Sequence, residues 1–347
     1  MRKKLGEIVN LNVFFAMLVI FIHISSSPVT TLAKDGFAYI FVMTLWRFSG
    51  FAVPGFLFLS SLKMFVNMKE NFSYKKFYKS RFFKIVLPYV FWVIVFYVYF
   101  YFRGYFPENQ NHFKALSENI LSGNLVAHFY FIIVIVQFYL LAPLWIFIKN
   151  HVNKVLALAG SFLIMILSQY IPKIFADFNI TFIYNDRLFT TYIFYWVLGI
   201  YAGANYEGFK NMLKRRTVLF AVLFAAFLIL DTRNYYLSSV GISIKYIELV
   251  RKLYCISAIM FFYGLSLKDE KTHNTKIIKA IDNASYYIYL SHCLFIFEID
   301  RIMQNANITK VRFTYPIRFI FVYTACILMC TGYVFLKKKA RRHILGE

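Results

Sequence analysis

Apolar runs of about 20 residues recur from one end of the chain to the other, separated by short segments rich in Lys, Asn, Asp and Ser. A run of that length crosses the hydrocarbon core of a bilayer as a helix, because each residue rises about 1.5 Å. The pattern predicts spans at 8–27, 37–62, 84–103, 125–148, 153–172, 188–205, 217–232, 246–267, 283–299 and 316–336. The expected fold class is all-α: a polytopic integral membrane helical bundle of about ten transmembrane helices. The longest connections, 63–83 and 104–124, are short, and no internal repeat stands out. Residues 1–347 therefore read as a single membrane domain, with any chemistry placed among the helices or at their two mouths.

Composition agrees. Of 347 residues, 60% are apolar and 16% charged, whereas a soluble domain is about half apolar and a quarter charged. The 39 Lys and Arg alternate in density between successive connections: 25 fall on one side, 13 on the other, and Arg47 lies inside a span. The positive-inside rule then puts both termini in the cytoplasm. The net charge of +23 sits in tails and loops beside spans, so anionic lipid headgroups are the expected neighbours. No nucleic-acid motif stands in those loops, and no nucleic acid partner is expected. Arg2-Lys3-Lys4 before an apolar run imitates a secretory signal, but the run is long, contains Asn12 and His23, and lacks a clear A-x-A site. An uncleaved first span is expected. The four cysteines lie in apolar stretches without His or Asp neighbours suited to a metal, so none is expected to ligate one.

Polar groups at membrane depth are costly and are functional candidates by default. His23 lies in the outer part of the first span, and Asn12 lies 11 residues earlier, near its inner end. Eleven steps of about 100° bring both to one face, about 16 Å apart along the axis. Two interhelical hydrogen bonds would explain them as well as a working site does. Arg47 is the one basic side chain well inside a span; it either snorkels outward or lines a polar cavity. Pro54-Gly55 after it predicts a break or kink that frees backbone carbonyls. Arg81 and Lys84 open the third span at its cytoplasmic mouth, on neighbouring faces of one turn, a geometry suited to phosphates. His292 falls near mid-membrane in the ninth span, and His128 at the outer mouth of the fourth. No phosphate-binding Gly-rich loop, H-E-x-x-H, C-x-x-C or G-x-S-x-G is present, so hydrolase and soluble-nucleotide chemistries have no support.

In this order, over essentially the whole chain, these segments resemble the bacterial membrane acyltransferase 3 family. The resemblance runs through Asn12, ten residues, then His23; Val53-Pro54-Gly55-Phe56-Leu57-Phe58-Leu59-Ser60-Ser61; and Arg81-Phe-Phe-Lys84-Ile-Val-Leu-Pro88. It continues through Phe129-Tyr130-Phe131 to Tyr139-Leu140-Leu141-Ala-Pro143, and through Ser285, Tyr286, Ile288, Tyr289, Leu290 and His292. Glu7, Arg47 and the run to Gln137 look most like the branch acting with poly-N-acetylglucosamine adhesin and credited with O-succinylation. The resemblance implies a multi-pass protein of the bacterial cytoplasmic membrane that moves an acetyl or succinyl group from acyl-CoA to a hydroxyl of a cell-surface glycan. It implies His23 as general base or acyl relay, and Asn12, Arg81 and Lys84 on the acyl donor. Arg47 and His292 are assigned by position to the acceptor or to the developing oxyanion, with no bound cofactor and no metal. Two positions depart from the family pattern: Asn12 stands for a cation, and Lys84 for a second Arg, which keeps charge but loses the bidentate fork. Either the donor differs, another base such as Lys63 substitutes, or this is a non-catalytic member acting in polysaccharide export or beside a glycan synthase.

Overall fold

The computed structural model describes residues 5–68, 71–268 and 275–345, with side chains described up to residue 340. The basic cluster Arg2-Lys3-Lys4 lies outside the described residues. All regular structure among the described residues is helical. By compactness the chain falls into two units, residues 1–56 with 207–347, and residues 57–206.

The first unit opens with α1 (Gly6–Thr31), α2 (Phe37–Ser49) and the start of α3 (Ala52–Val66). The boundary between units falls inside α3. The second unit continues with α4 (Tyr74–Arg81), a π turn at Phe82–Val86, and α5 (Leu87–Phe102). There follow α6 (His112–Ser122), α7 (Tyr130–Leu140), α8 (Ala142–His151) and α9 (Lys154–Leu167). It ends with α10 (Ile171–Asp177) and α11 (Ile193–Ala204). The chain then returns to the first unit through α12 (Tyr206–Ser239), kinked at Arg216, and α13 (Ile247–Ser266). It closes with α14 (Lys276–Asn305) and α15 (Val311–Leu345).

Each of the ten expected spans falls on a helix or helix pair. Among the described residues, six are long and apolar enough to cross a membrane: 6–31, 37–66, 74–102, 154–177, 247–266 and 311–340. The pair His112–Ser122 and Ala127–Leu140, bent by 51°, makes a seventh. The expected spans 188–205, 217–232 and 283–299 lie on α11, α12 and α14, outside that set; the apolar stretch ending in α11 is short, and α12 and α14 each carry a carboxylate, Asp231 and Asp300, paired with an arginine of another helix. The protein is a multi-pass helical membrane protein.

In the first unit α1 packs against α2, α13, α14 and α15. Ile20 and Ile24 of α1 share a buried core with Ile288, Ile296 and Ile299 of α14 and Val322 and Cys326 of α15. In the second unit, Phe138 stacks on Trp196 with ring centroids 4.6 Å apart, and both are fully buried. Gly199 and Gly203 of α11 let it lie against the part of α3 in that unit. A Cβ at Gly199 would meet the Phe58 carbonyl oxygen at 2.6 Å, and one at Gly203 the Leu62 carbonyl oxygen at 2.7 Å. Spaced four apart, they form the small-residue face that membrane helices use where no hydrophobic force draws them together.

Candidate active site

The sequence put Asn12 and His23 on one face of one helix, and α1 runs unbroken through both. Both meet α14. The Asn12 amide donates to the Asp282 carboxylate at 3.0 Å, and the His23 ring lies 5.0 Å from that of His292. Partners advance in the same sense on both helices, so α1 and α14 run parallel. Along their contact the polar stripe of α1 is met by an acid at one end and a second imidazole at the other.

Local features fix the His292 ring and the turn that carries His23. The Nδ1 of His292 lies 2.7 Å from the Tyr289 carbonyl oxygen. A carbonyl can only accept, so Nδ1 carries a proton and, in the neutral ring, Nε2 keeps its lone pair. That Nε2 is 3.4 Å from the Cys293 thiol. On α1, Pro28 lacks the N–H that would pair with the Ile24 carbonyl. Arg318 of α15 donates to that freed carbonyl at 3.3 Å, while its Nε holds Asp300 at 2.7 Å. The next residue, Ser25, exchanges a hydrogen bond of 3.0 Å with the Tyr315 hydroxyl. The turn carrying His23 is therefore pinned to α15 on two successive residues.

Arg47 neither snorkels nor stands alone in a cavity. Its Nε and Nη2 donate to the two oxygens of Asp231 at 2.9 and 2.6 Å, a bidentate pair with a fully buried carboxylate. Its guanidinium lies 4.6 Å from the Tyr235 ring, close enough for cation–π attraction. Arg251 of α13 donates from Nη1 to Asp231 at 3.0 Å and to the Arg47 carbonyl at 3.2 Å. The break foreseen at Pro54-Gly55 falls at Gly50-Phe51, between α2 and α3. This follows from Pro54, which takes the donor away from the Gly50 carbonyl one turn upstream. At the break the Arg47 carbonyl accepts from both the Gly50 N–H and Arg251, and the Phe48 carbonyl is taken by the Tyr254 hydroxyl.

Arg81 and Lys84 belong to the second unit, Arg81 directly before its π turn and Lys84 within it. The Arg81 guanidinium lies 4.4 Å from the Tyr139 ring and 5.0 Å from Phe77, and its buried Nε has no hydrogen-bond partner among the described residues. Lys84 is exposed. A regular α turn was expected here; the π turn inserts an extra residue, a feature frequent at functional positions. His128 is buried against Phe96 and Phe129 in the core of the same unit.

Three groups escaped the sequence reading. Asp231 lay inside the expected span 217–232 and Arg251 inside 246–267, yet only Arg47 drew notice as a charge at depth. Their opposite signs in apolar runs were the signal available. Cys293 was judged to have no suitable His neighbour. The structure corrects this: nitrogen atoms of His23 and His292 and the Cys293 sulfur lie within 4.8 Å of one another, a donor set compatible with a transition metal.

A multi-pass helical protein with two imidazole rings 5.0 Å apart on adjoining helices, one of them on a turn held by the Arg318–Asp300 pair, has the parts of a transfer enzyme. The family model for an acyltransferase domain matches residues 8–335, and the chain belongs to the acyltransferase 3 family. It is thus an acyltransferase. Curated relatives include proteins of Staphylococcus aureus strains MSSA476, MW2 and N315, each named "Probable poly-beta-1,6-N-acetyl-D-glucosamine export protein". Each is 27% identical over 322 residues, which cover 89% of this chain and 86% of the relative. No solved structure matches the chain.

Proposed function

We propose that this enzyme moves an acyl group, acetyl or succinyl, from acyl-CoA to a hydroxyl of a cell-surface polysaccharide. It works in the bacterial cytoplasmic membrane through ten spans, with both termini in the cytoplasm. The observation that carries the reading is the His23–His292 contact on parallel helices, in a chain of a family that transfers acyl groups. The parallel course of α1 and α14 requires an odd number of crossings between them, and the ten-span arrangement supplies seven.

In the reaction, the acceptor hydroxyl oxygen attacks the thioester carbonyl as His23 takes its proton. The carbon–sulfur bond breaks, and the proton passes to the departing CoA sulfur. His292, itself held by the Tyr289 carbonyl, orients His23. Within the second unit, Arg81, pre-set by its two aromatic neighbours, and Lys84 are suited to phosphate oxygens. Asn12 donates its amide to the Asp282 carboxylate and ties α1 to α14 below His23. Arg47 has its side-on donors filled by Asp231 and acts by keeping that carboxylate in place.

The names of the relatives favour a second reading, polysaccharide export. Mass spectrometry of surface polysaccharide from wild-type, deletion and His23→Ala cells separates the two. Acyl transfer predicts normal polymer without ester groups in both altered strains. Export predicts little surface polymer in the deletion strain, with normal ester content in what remains. An unchanged ester content in His23→Ala cells overturns the acyl-transfer assignment to His23.

A further inference from the structure

Arg47 and Arg251 use the same carboxylate in different ways. Arg47 presents its side-on edge, Nε and Nη2, and Asp231 fills it. Arg251 presents only Nη1, shared between Asp231 and the Arg47 carbonyl. Its own side-on edge, Nε and Nη2, has no hydrogen bond among the described residues. The side chain is 22% exposed, against 11% for Arg47 and 0% for Asp231. Two guanidiniums thus share one carboxylate, leaving one positive charge in excess among apolar helices. Gly50 gives this arrangement its space, since a Cβ there would lie 1.5 Å from Arg251 Nη2.

From this geometry we infer that Arg251, braced by Asp231 and the Arg47 carbonyl, is a binding subsite for an oxyanion group, a carboxylate or a phosphoryl. The open Nε/Nη2 edge is the planar fork that matches two oxygens of such a group. Its partner pair demonstrates the fit in the same cluster, because Asp231 already occupies the equivalent edge of Arg47. The Nη1 anchors hold the guanidinium in one orientation, so little conformational freedom remains to be lost when an anion binds. The surplus charge is met only when the anion arrives, and the buried Asp231 remains paired with Arg47 whether or not it does. The subsite goes beyond acyl transfer, since it is read with no donor or acceptor present.

The test uses the purified full-length protein in detergent at constant ionic strength. Thermal unfolding is followed while acetate, inorganic phosphate or neutral acetamide is titrated. A saturable rise in Tm with acetate, phosphate or both, and none with acetamide, is expected. A response to acetate alone assigns a substrate carboxylate; a response to phosphate alone assigns a phosphoryl group. Arg251→Gln keeps the Arg47–Asp231 pair, and its apparent Kd for the responding anion is expected to rise at least tenfold. Gly50→Ala keeps the charge but displaces the guanidinium, and is expected to weaken binding in the same direction. No response to either anion, or an equal response in Arg251→Gln, overturns the proposal.

Discussion

Replacing Asp231 by Asn removes one charge and almost no volume, at a carboxylate with no exposed surface. Three charge-assisted hydrogen bonds end on it, at 2.6, 2.9 and 3.0 Å. The amide keeps one acceptor oxygen and turns an NH2 group toward guanidinium donors. Three bonds to charged groups at about 1.5–3 kcal/mol each set an upper range of about 4.5–9 kcal/mol. The loss is smaller, because the amide oxygen keeps one bond and Arg47 keeps its place over Tyr235. Removing one partner from a buried ion pair costs about 3–5 kcal/mol, and that is the value expected here. Arg251→Gln removes the bond at 3.0 Å and a weaker one to the Arg47 carbonyl at 3.2 Å, but leaves one cation on one anion, so about 1–2 kcal/mol is expected. Asp231→Asn combined with Arg251→Gln costs less than the sum, since it also removes the stranded cation. Reversible unfolding in mixed micelles, with SDS as denaturant, measures all three. An Asp231→Asn variant that loses no more stability than Arg251→Gln refutes the reasoning.

Gly203→Val forces a side chain into the Leu62 backbone and is expected to cost about 2–3 kcal/mol by the same unfolding assay, as overpacking does. Tyr254→Phe leaves the Phe48 carbonyl unpaired beside the helix break and is expected to cost about 1–3 kcal/mol. His292→Phe keeps a ring against His23 but loses the bond to Tyr289. As a positioning residue it is expected to lower kcat about tenfold to a hundredfold with KM for the acyl donor unchanged, measured by release of free CoA thiol.

Helix positions were legible because membrane-spanning helices must be long and apolar, and a hydropathy pattern reports that directly. Asn12 and His23 sharing a face was legible for the same reason, since it depends on a single helix. Their partners were not. Asp282 and His292 lie 270 and 269 residues further along, and no local pattern states which helix packs on which. Arg47 was recognised as a charge at depth, but its pairing reverses the role assigned to it. A lone buried cation invites a ligand, whereas one saturated by Asp231 passes that property to Arg251. Pro54 was read as a breaker, and the break falls one turn earlier because a proline acts on the carbonyl four residues before it. Arg81 and Lys84 were read as a regular helical pair; the chain forms a π turn there, one turn before Pro88, which offers the Lys84 carbonyl no N–H.

The central claim is that His23 carries acyl transfer, and reconstituted vesicles test it most directly. The full-length protein is supplied with acyl-CoA labelled in the acyl group, and surface polysaccharide isolated from the deletion strain serves as acceptor. Label ester-linked to the polysaccharide is counted over time. The account predicts transfer by the wild type and a loss of about 10²–10⁴-fold in His23→Ala, the usual contribution of a general base. Transfer by His23→Ala at the wild-type rate, or none by the wild type, would contradict it.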